Sequence, residues 1–139
     1  MVLYSIASAR EDCAPNCVVM TGKPGYIGPS SVYLSYLKDG WINLTGDNDG
    51  ENNGWKLLST FTLEPGAYSL DGLKGQSENT IALQLRIEGE PGFYQYIYQC
   101  DENVRFTIER PVEAVLHVRV YPEVEGIDVK ARPAVYRDE

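Results

Sequence analysis

The chain has 139 residues, of which 43% are hydrophobic and 23% charged, and its formal net charge is −8. This length is typical of one domain with its own hydrophobic core. The acidic balance and the scattered lysines and arginines exclude an extended nucleic-acid-binding surface, and no apolar run approaches the roughly 18 residues of a membrane-spanning segment.

The chain begins MVLYSIASAREDCAPNC, which lacks the basic start and the apolar run of a secretory signal peptide, so we expect synthesis in the cytoplasm. Strand patterns then recur between turns rich in Gly, Pro, Asn and Asp. In chain order the predicted strands are Val2–Ala7, Cys17–Thr21, Ser31–Leu37, Trp41–Thr45, Trp55–Leu63, Ala67–Leu70, Thr80–Ile87, Phe93–Cys100, Arg105–Glu109, Ala114–Val120 and Val129–Val135.

Two of these strands alternate clearly between apolar and polar residues. In Thr80–Ile87 the isoleucines and leucines share one face, and in Ala114–Val120 His117 and Arg119 lie opposite the apolar face. One buried face and one solvent-exposed face are typical of an antiparallel sheet. The sequence therefore predicts an all-β fold, an antiparallel two-sheet β-sandwich of jelly-roll type. The predicted core residues are Ile81, Leu83, Leu85, Phe106, Ile108, Leu116, Val118 and Val120.

The domain prediction divides a single domain into two parts. Residues 41–139 are expected to form the sandwich module, and residues 1–40 an N-terminal arm with the first strands and a candidate docking segment. Residues 1–40 contain aperiodic stretches that cost entropy to order, which favours docking on a neighbouring subunit. The alternative is that Val2–Ala7 and Ser31–Leu37 complete the sandwich.

The turn Glu64-Pro65-Gly66 separates two short strands. Proline presets φ near −65° and glycine accepts positive φ, so the sequence predicts a type II turn with Pro65 and Gly66 in its central positions. The polar run 47–54 offers oxygen ligands for calcium, but Asn52 stands where the EF-hand template requires glycine. We therefore expect a solvated hairpin loop there.

The potential metal ligands and nucleophiles form no recognisable set. Cys13, Cys17 and Cys100 are an odd number of cysteines, and with one distant His117 they make a poor zinc site. His117 has no adjacent Ser or Cys nucleophile in the sequence, and no glycine-rich phosphate loop is present. We predict no catalytic residues, no metal site, no cofactor and no enzymatic activity.

The segment Phe93–Gln99 is the strongest candidate for binding. Tyr94, Tyr96 and Tyr98 fall on one face of the predicted strand. Aromatic rings with hydroxyl tips suit sugar stacking or a protein interface. The competing interpretation is that these tyrosines pack in the core, where we also expect Trp41 and Trp55.

Six segments of the chain form a recurring pattern of strands and turns: WINLTG (41–46), FTLEPGAYSLDG (61–72), Thr80–Ile87, RFTI (105–108), Val115–Val120 and ARPAV (131–135). Together they resemble a small β-sandwich module, similar to carbohydrate-binding modules, of phage and prophage virion structural proteins. The chain departs from that pattern at Glu64, where the module has a small residue, and at Ala134, where it has methionine.

The resemblance implies a virion structural protein, such as a head decoration, fibre-anchoring or tail accessory subunit, located in the virion after synthesis in the host cytoplasm. Its expected partners are other virion proteins and copies of itself, with neither nucleic acid nor membrane. The alternative is a carbohydrate-binding module that recognises cell-surface glycans, with Tyr94, Tyr96 and Tyr98 in contact with the sugar.

Overall fold

The computed structural model describes residues 18–73, 80–88, 94–100 and 102–138, which contain short antiparallel strands and one 3₁₀ turn at Lys38–Gly40. No helix in this part of the chain is long and apolar enough to cross a membrane. The strands are β1 (Gly25–Tyr26), β2 (Tyr33–Tyr36), β3 (Ile42–Asn48), β4 (Gly54–Leu63), β5 (Gly66–Asp71), β6 (Ile81–Glu88), β7 (Tyr94–Gln99), β8 (Val104–Ile108), β9 (Val112–Val120), β10 (Val124–Ala131) and β11 (Ala134–Asp138).

The strand pairs are nested about the β6–β7 pair. β6 pairs with β7, β5 with β8, β4 with β9 and β3 with β10, all antiparallel. The chain thus forms one long hairpin that is rolled up, which is the jelly-roll topology. Hydrogen bonding divides the described strands into three sheets, ordered β4-β9-β6-β7, β1-β2-β3-β10 and β11-β5-β8.

The last predicted strand, Val129–Val135, consists of two strands. β10 ends at Ala131, and β11 begins at Ala134 and pairs with β5 in another sheet. Pro133 lies between them, and a proline cannot donate to a sheet ladder. The chain therefore changes sheets at this point, and the sheets that contain β10 and β11 together make up the layer opposite β4-β9-β6-β7.

One hydrophobic core lies between the layers. Buried residues from all three sheets form a single cluster that includes Leu44, Tyr68, Leu83 and Leu116. All eight predicted core residues, from Ile81 to Val120, are buried. The prediction of an all-β antiparallel sandwich of jelly-roll type is confirmed.

Residues 18–40 pack into the same core as the strands that follow. Val18, Ile27 and Leu34 are fully or almost fully buried, and β2 pairs with β3. Residues 18–22 form no strand, but the amides of Thr21 and Gly22 both donate to the Leu58 carbonyl at 3.0 Å. Residues 18–40 are thus part of the sandwich. The docking role predicted for residues 1–40 stays a prediction. Residues 1–17, with the predicted strand Val2–Ala7 and with Cys13 and Cys17, lie outside the described residues.

The corner between β4 and β5 differs from the predicted type II turn. Gly66 has φ +157° and is the first residue of β5, far from the φ near +80° that the turn requires. Two side chains fix the corner instead. The Tyr68 hydroxyl donates to the Glu64 carbonyl at 2.6 Å, and the Arg137 guanidinium donates to the Pro65 carbonyl at 2.7 Å.

The polar run 47–54 connects two sheets and is not a hairpin, because β3 pairs with β2 and β10 while β4 pairs with β9. The hairpin prediction is wrong for this reason. Asn48 is buried, and its side-chain amide donates to the carbonyls of Asn52 at 3.0 Å and Tyr121 at 2.9 Å. This run therefore contributes a buried, hydrogen-bonded asparagine to the structure.

Candidate functional site: the outer face of one sheet

The candidate site is the side of the sheet β4-β9-β6-β7 that points away from the core, which we call the outer face. Alternation places its residues: in β6 and β9 every second side chain points into the core, and the intervening ones point outward and are at least partly exposed, apart from the small Ala82, which is buried. The outer face contains aromatic, cationic and amide side chains, namely Trp55, Gln84, Arg86, Tyr94, Tyr96, Tyr98, His117 and Arg119.

The tyrosine row, Tyr94, Tyr96 and Tyr98, lies along β7 at the edge of this sheet. The three side chains are 46%, 49% and 47% exposed, so they do not pack in the core. The rings of Tyr94 and Tyr96 lie 6.5 Å apart and are tilted by 51°. Ile97 and Gln99, on the opposite side of the strand, are buried. The strand is therefore anchored from one side and presents a line of tyrosines on the other.

Two residues of β6 contact the tyrosine row. Gln84 is paired with Tyr98 across the strands, and its side-chain nitrogen donates to the Tyr98 hydroxyl at 3.0 Å. The Arg86 guanidinium lies 5.0 Å from the centre of the Tyr94 ring, a cation–π contact. Two of the three tyrosine side chains thus have contacts that restrict their positions.

A second group of contacts lies at the other side of the outer face, on β4 and β9. The Arg119 guanidinium lies 5.4 Å from the Trp55 ring and 4.3 Å from the Tyr121 ring. His117 packs edge-on against Trp55, with ring centres 6.4 Å apart. Trp55 is therefore a surface residue of this group.

The surroundings of His117 favour its neutral form. Burial lowers the pKa of the imidazole below its usual range, and the positive charge of Arg86 lowers it further. The Nδ1 atom of His117 and the Nε atom of Arg119 are buried and have no hydrogen-bond partner among the described residues. Because these two atoms are buried, polar contacts to a surface ligand would come from the other imidazole nitrogen and from the terminal N–H groups of the guanidinium.

The predicted burial of the two tryptophans is wrong. Trp41 is 37% and Trp55 36% exposed, and an arginine lies over each ring, Arg132 at 5.3 Å from Trp41 and Arg119 at 5.4 Å from Trp55. Trp41 immediately precedes β3 and Trp55 is the second residue of β4, and at each place an arginine side chain covers the flat aromatic surface.

The outer face has the chemistry of a binding surface. Within the described ranges, no three His, Cys, Asp or Glu side chains come together as metal ligands. Cys100 lies beyond β7, and its Sγ donates to the Ile81 carbonyl at 3.4 Å. Rings, amide groups and guanidinium groups can stack on and hydrogen-bond to a ligand.

Sequence reasoning identified the tyrosine row but missed the residues that contact it. The alternation of Thr80–Ile87 already placed Gln84 and Arg86 on the polar face. The missing information was the register, because only pairing shows that Gln84 lies opposite Tyr98 and His117. Arg119 and Trp55 meet for the same reason, across the β4–β9 pair.

No protein-family model and no curated protein matches this chain. A chain in the crystal structure of accessory secretory protein 1, 2 and 3 in Streptococcus pneumoniae is similar in structure, with a TM-score of 0.51 and 13% sequence identity. The likeness covers 83% of this chain and 93% of that chain. At this identity it concerns the fold alone and agrees with the all-β sandwich described above.

Proposed function

We propose that this chain is a structural protein of a bacteriophage virion, a head decoration, fibre-anchoring or tail accessory subunit that acts by binding other virion proteins and copies of itself. The sequence resemblance to virion modules supports this proposal. The fold is compatible with it, since jelly rolls are used in viral capsid domains.

The observation that carries the proposal is the exposed tyrosine row on an edge strand. Tyrosine is enriched in the cores of protein interfaces. Strand edges offer unpaired backbone groups to a second chain. β7 combines the two, because Tyr94, Tyr96 and Tyr98 are about half exposed and β7 is the last of the described strands in its sheet. A neighbouring virion protein would cover the rings and the edge together.

Mass spectrometry of gradient-purified virions from the encoding phage or prophage tests this proposal. We expect the chain in the particles at a stoichiometric level. A Tyr96→Lys variant should be depleted from the particles, because a charge in a covered interface is costly. The matched control is Tyr26→Lys, which changes an exposed tyrosine of another sheet. Abundant protein in the lysate with none in the virions would exclude the structural role.

A second candidate function, carbohydrate binding, is favoured by a specific observation. The tyrosine row is accompanied by Gln84 and Arg86, so flat rings and hydrogen-bonding groups lie side by side. Sugars present apolar faces that stack on such rings and hydroxyl groups that hydrogen-bond to such side chains. The outer face would then bind cell-surface glycans.

A glycan array with the purified protein tests this second candidate. We expect signals that are lost in Tyr94→Ala and in Tyr96→Ala, while Tyr26→Ala, on β1, retains them. Circular dichroism of each variant shows whether the fold persists. Signals that survive both substitutions would place glycan binding elsewhere, and an array without signals would exclude the candidate.

A further inference from the structure

The charge of the outer face differs from that of the whole chain. The net charge is −8, yet the centre of this face carries Arg86 and Arg119 around a neutral His117. These two arginines are on neighbouring strands, because Arg86 pairs with Val115 and Arg119 with Ala82. The register therefore places two arginines near the centre of one surface of an acidic protein.

Each of these two guanidinium groups lies over at least one aromatic ring. Arg86 lies over Tyr94, and Arg119 lies between Trp55 and Tyr121. A cation–π contact leaves guanidinium N–H groups at the rim of the ring free to bind a carboxylate, which an arginine does with two parallel hydrogen bonds. The aromatic rings thus hold these cations in place for an anionic ligand.

Hydrogen-bonding groups lie between the tyrosine row and the arginines. Gln84 is paired with Tyr98 on one side and His117 on the other, so the three side chains form a row across the sheet. The side-chain amide of Gln84 donates to the Tyr98 hydroxyl at 3.0 Å, and both groups can form further hydrogen bonds. A ligand with many hydroxyl groups would hydrogen-bond to these two side chains.

We infer that the outer face binds an acidic glycan, a carbohydrate that carries carboxylate groups, with sugar rings on the tyrosine row and a carboxylate on Arg86. This inference rests on the second candidate function and adds the chemical class of the ligand. The tyrosine rings, the hydrogen-bonding side chains and the arginine together fit a charged sugar. A simple anion would bind the arginine but would not contact the tyrosines.

Two carboxylates lie at one end of the outer face, and Glu88 is the next outward residue after Arg86 on β6. Glu88 pairs with Tyr94, and Glu113 accepts a hydrogen bond from the Thr62 hydroxyl at 2.8 Å. Like charges repel, so Glu88 should weaken the binding of a ligand carboxylate to Arg86. Removing the charge of Glu88 should therefore strengthen binding of an acidic glycan.

Titration calorimetry with trigalacturonic acid and its methyl ester tests the inference, because the ester keeps the sugar rings and hydroxyl groups but replaces each carboxylate by a neutral methyl ester. We expect the acid to bind about tenfold more tightly than the ester, since hydrogen bonds to charged groups are stronger than neutral ones. Arg86→Gln should reduce the ratio of the affinity for the acid to that for the ester to near one, and Glu88→Gln should increase this ratio. Arg105→Gln, an exposed arginine of β8, is the matched control and should not change it.

Each outcome decides between the inference and the function on which it rests. Equal affinity for acid and ester would overturn the inference and leave glycan binding standing. No binding of either, together with an array that shows no signal, would overturn both. An acidic peptide of glutamates that binds as tightly as the acid would also overturn the inference, because the face would then recognise charge without sugar. The inference would also be overturned if the Arg86→Gln variant still bound the acid much more tightly than the ester.

Discussion

Gly46 allows the segment before β2 to run directly against β3. The amide of Ser31 donates to the Asp47 carbonyl at 2.9 Å, which draws the two backbones together. A Cβ on Gly46 would collide with the Ser31 backbone. Gly46 also has φ +131°, a conformation that favours glycine. Side-chain volume and backbone conformation both exclude other residues here.

Gly46→Ala should lower the free energy of unfolding by about 1–3 kcal/mol, the range for a strained backbone position. Gly50→Ala is the control, because a Cβ there meets only Asn48 Oδ1 at an ordinary 3.6 Å. Urea denaturation of the two variants and the wild type measures the difference. Equal midpoints for the two variants would show that the close approach at Gly46 relaxes without cost.

His117 makes stability depend on pH near neutrality. Its folded pKa is lowered by burial and by Arg86, whereas the unfolded chain has a pKa near 6.5. As the pH falls below about 6.5, the unfolded state binds the proton first, so unfolding becomes more favourable. The contribution of His117 to the free energy of unfolding is fully present above about pH 6.5 and is lost as the pH falls toward the folded pKa.

The urea midpoint of the wild type should therefore decrease between about pH 7.5 and 5.5, and the decrease should be smaller in His117→Gln. The comparison is direct because the chain has one histidine, and no other side chain with an ordinary pKa titrates in this range. An equal decrease in both proteins would assign the effect to carboxylates with raised pKa values.

At the scale of the element, β7 is an edge strand without charge. Its residues, YQYIYQ, include no acidic or basic side chain and no proline. In the described structure it pairs in a ladder only with β6. Lysine and proline are the common means by which proteins prevent such an edge from pairing with another chain. In contrast, the edge strand β8 carries Arg105.

Self-association through β7 should increase with salt. Between about 0.1 M and 1 M salt the Debye length falls from about 10 Å to about 3 Å, which screens the repulsion between acidic molecules. Light scattering should show a mean mass that rises with salt for the wild type and less for Gln95→Lys. Thr107→Lys, on β8, is the control and should behave like the wild type. A mass that is independent of salt would exclude this edge as an association site.

At the scale of the whole molecule, the nested pairs join residues that are far apart in the chain. β3 pairs with β10, and Ile42 lies opposite Ala131. Such non-local pairs lose chain entropy before they gain contacts, so folding is slow.

Refolding should therefore take milliseconds to seconds, as for other sandwiches dominated by non-local contacts. Stopped-flow fluorescence of Trp41 and Trp55 can follow it. Refolding in microseconds would mean that local contacts dominate the transition state.

The sequence predicts the strands well and their partners poorly. Alternation alone located β6 and β9, because their buried face is purely apolar. Which strands pair could not be predicted from the sequence, since nothing in the pattern of β3 shows that it pairs with β10 and not with β4. The hairpin at residues 47–54 and the burial of Trp41 and Trp55 were wrong for this reason, because both depend on which strands are neighbours.

The same distinction applies to the candidate site. The period of two was enough to place Tyr94, Tyr96 and Tyr98 on one side of a strand. Whether that side faces the core depends on Ile97 and Gln99, which are buried on the other side. Arg119 meets Trp55 only through the β4–β9 register, and Gln84 meets His117 only through the β6–β9 register.

Because β9 is paired on both sides, with β4 and β6, it restricts which insertions and deletions can persist in evolution. Loss of one residue near its middle would exchange Leu116 and Val118 for His117 and Arg119 on the core face. No change in one neighbour could compensate, because the other would keep its old register. Length variation among descendants of this chain should therefore fall in connections such as 47–54, while β9 keeps its length and changes by substitution alone.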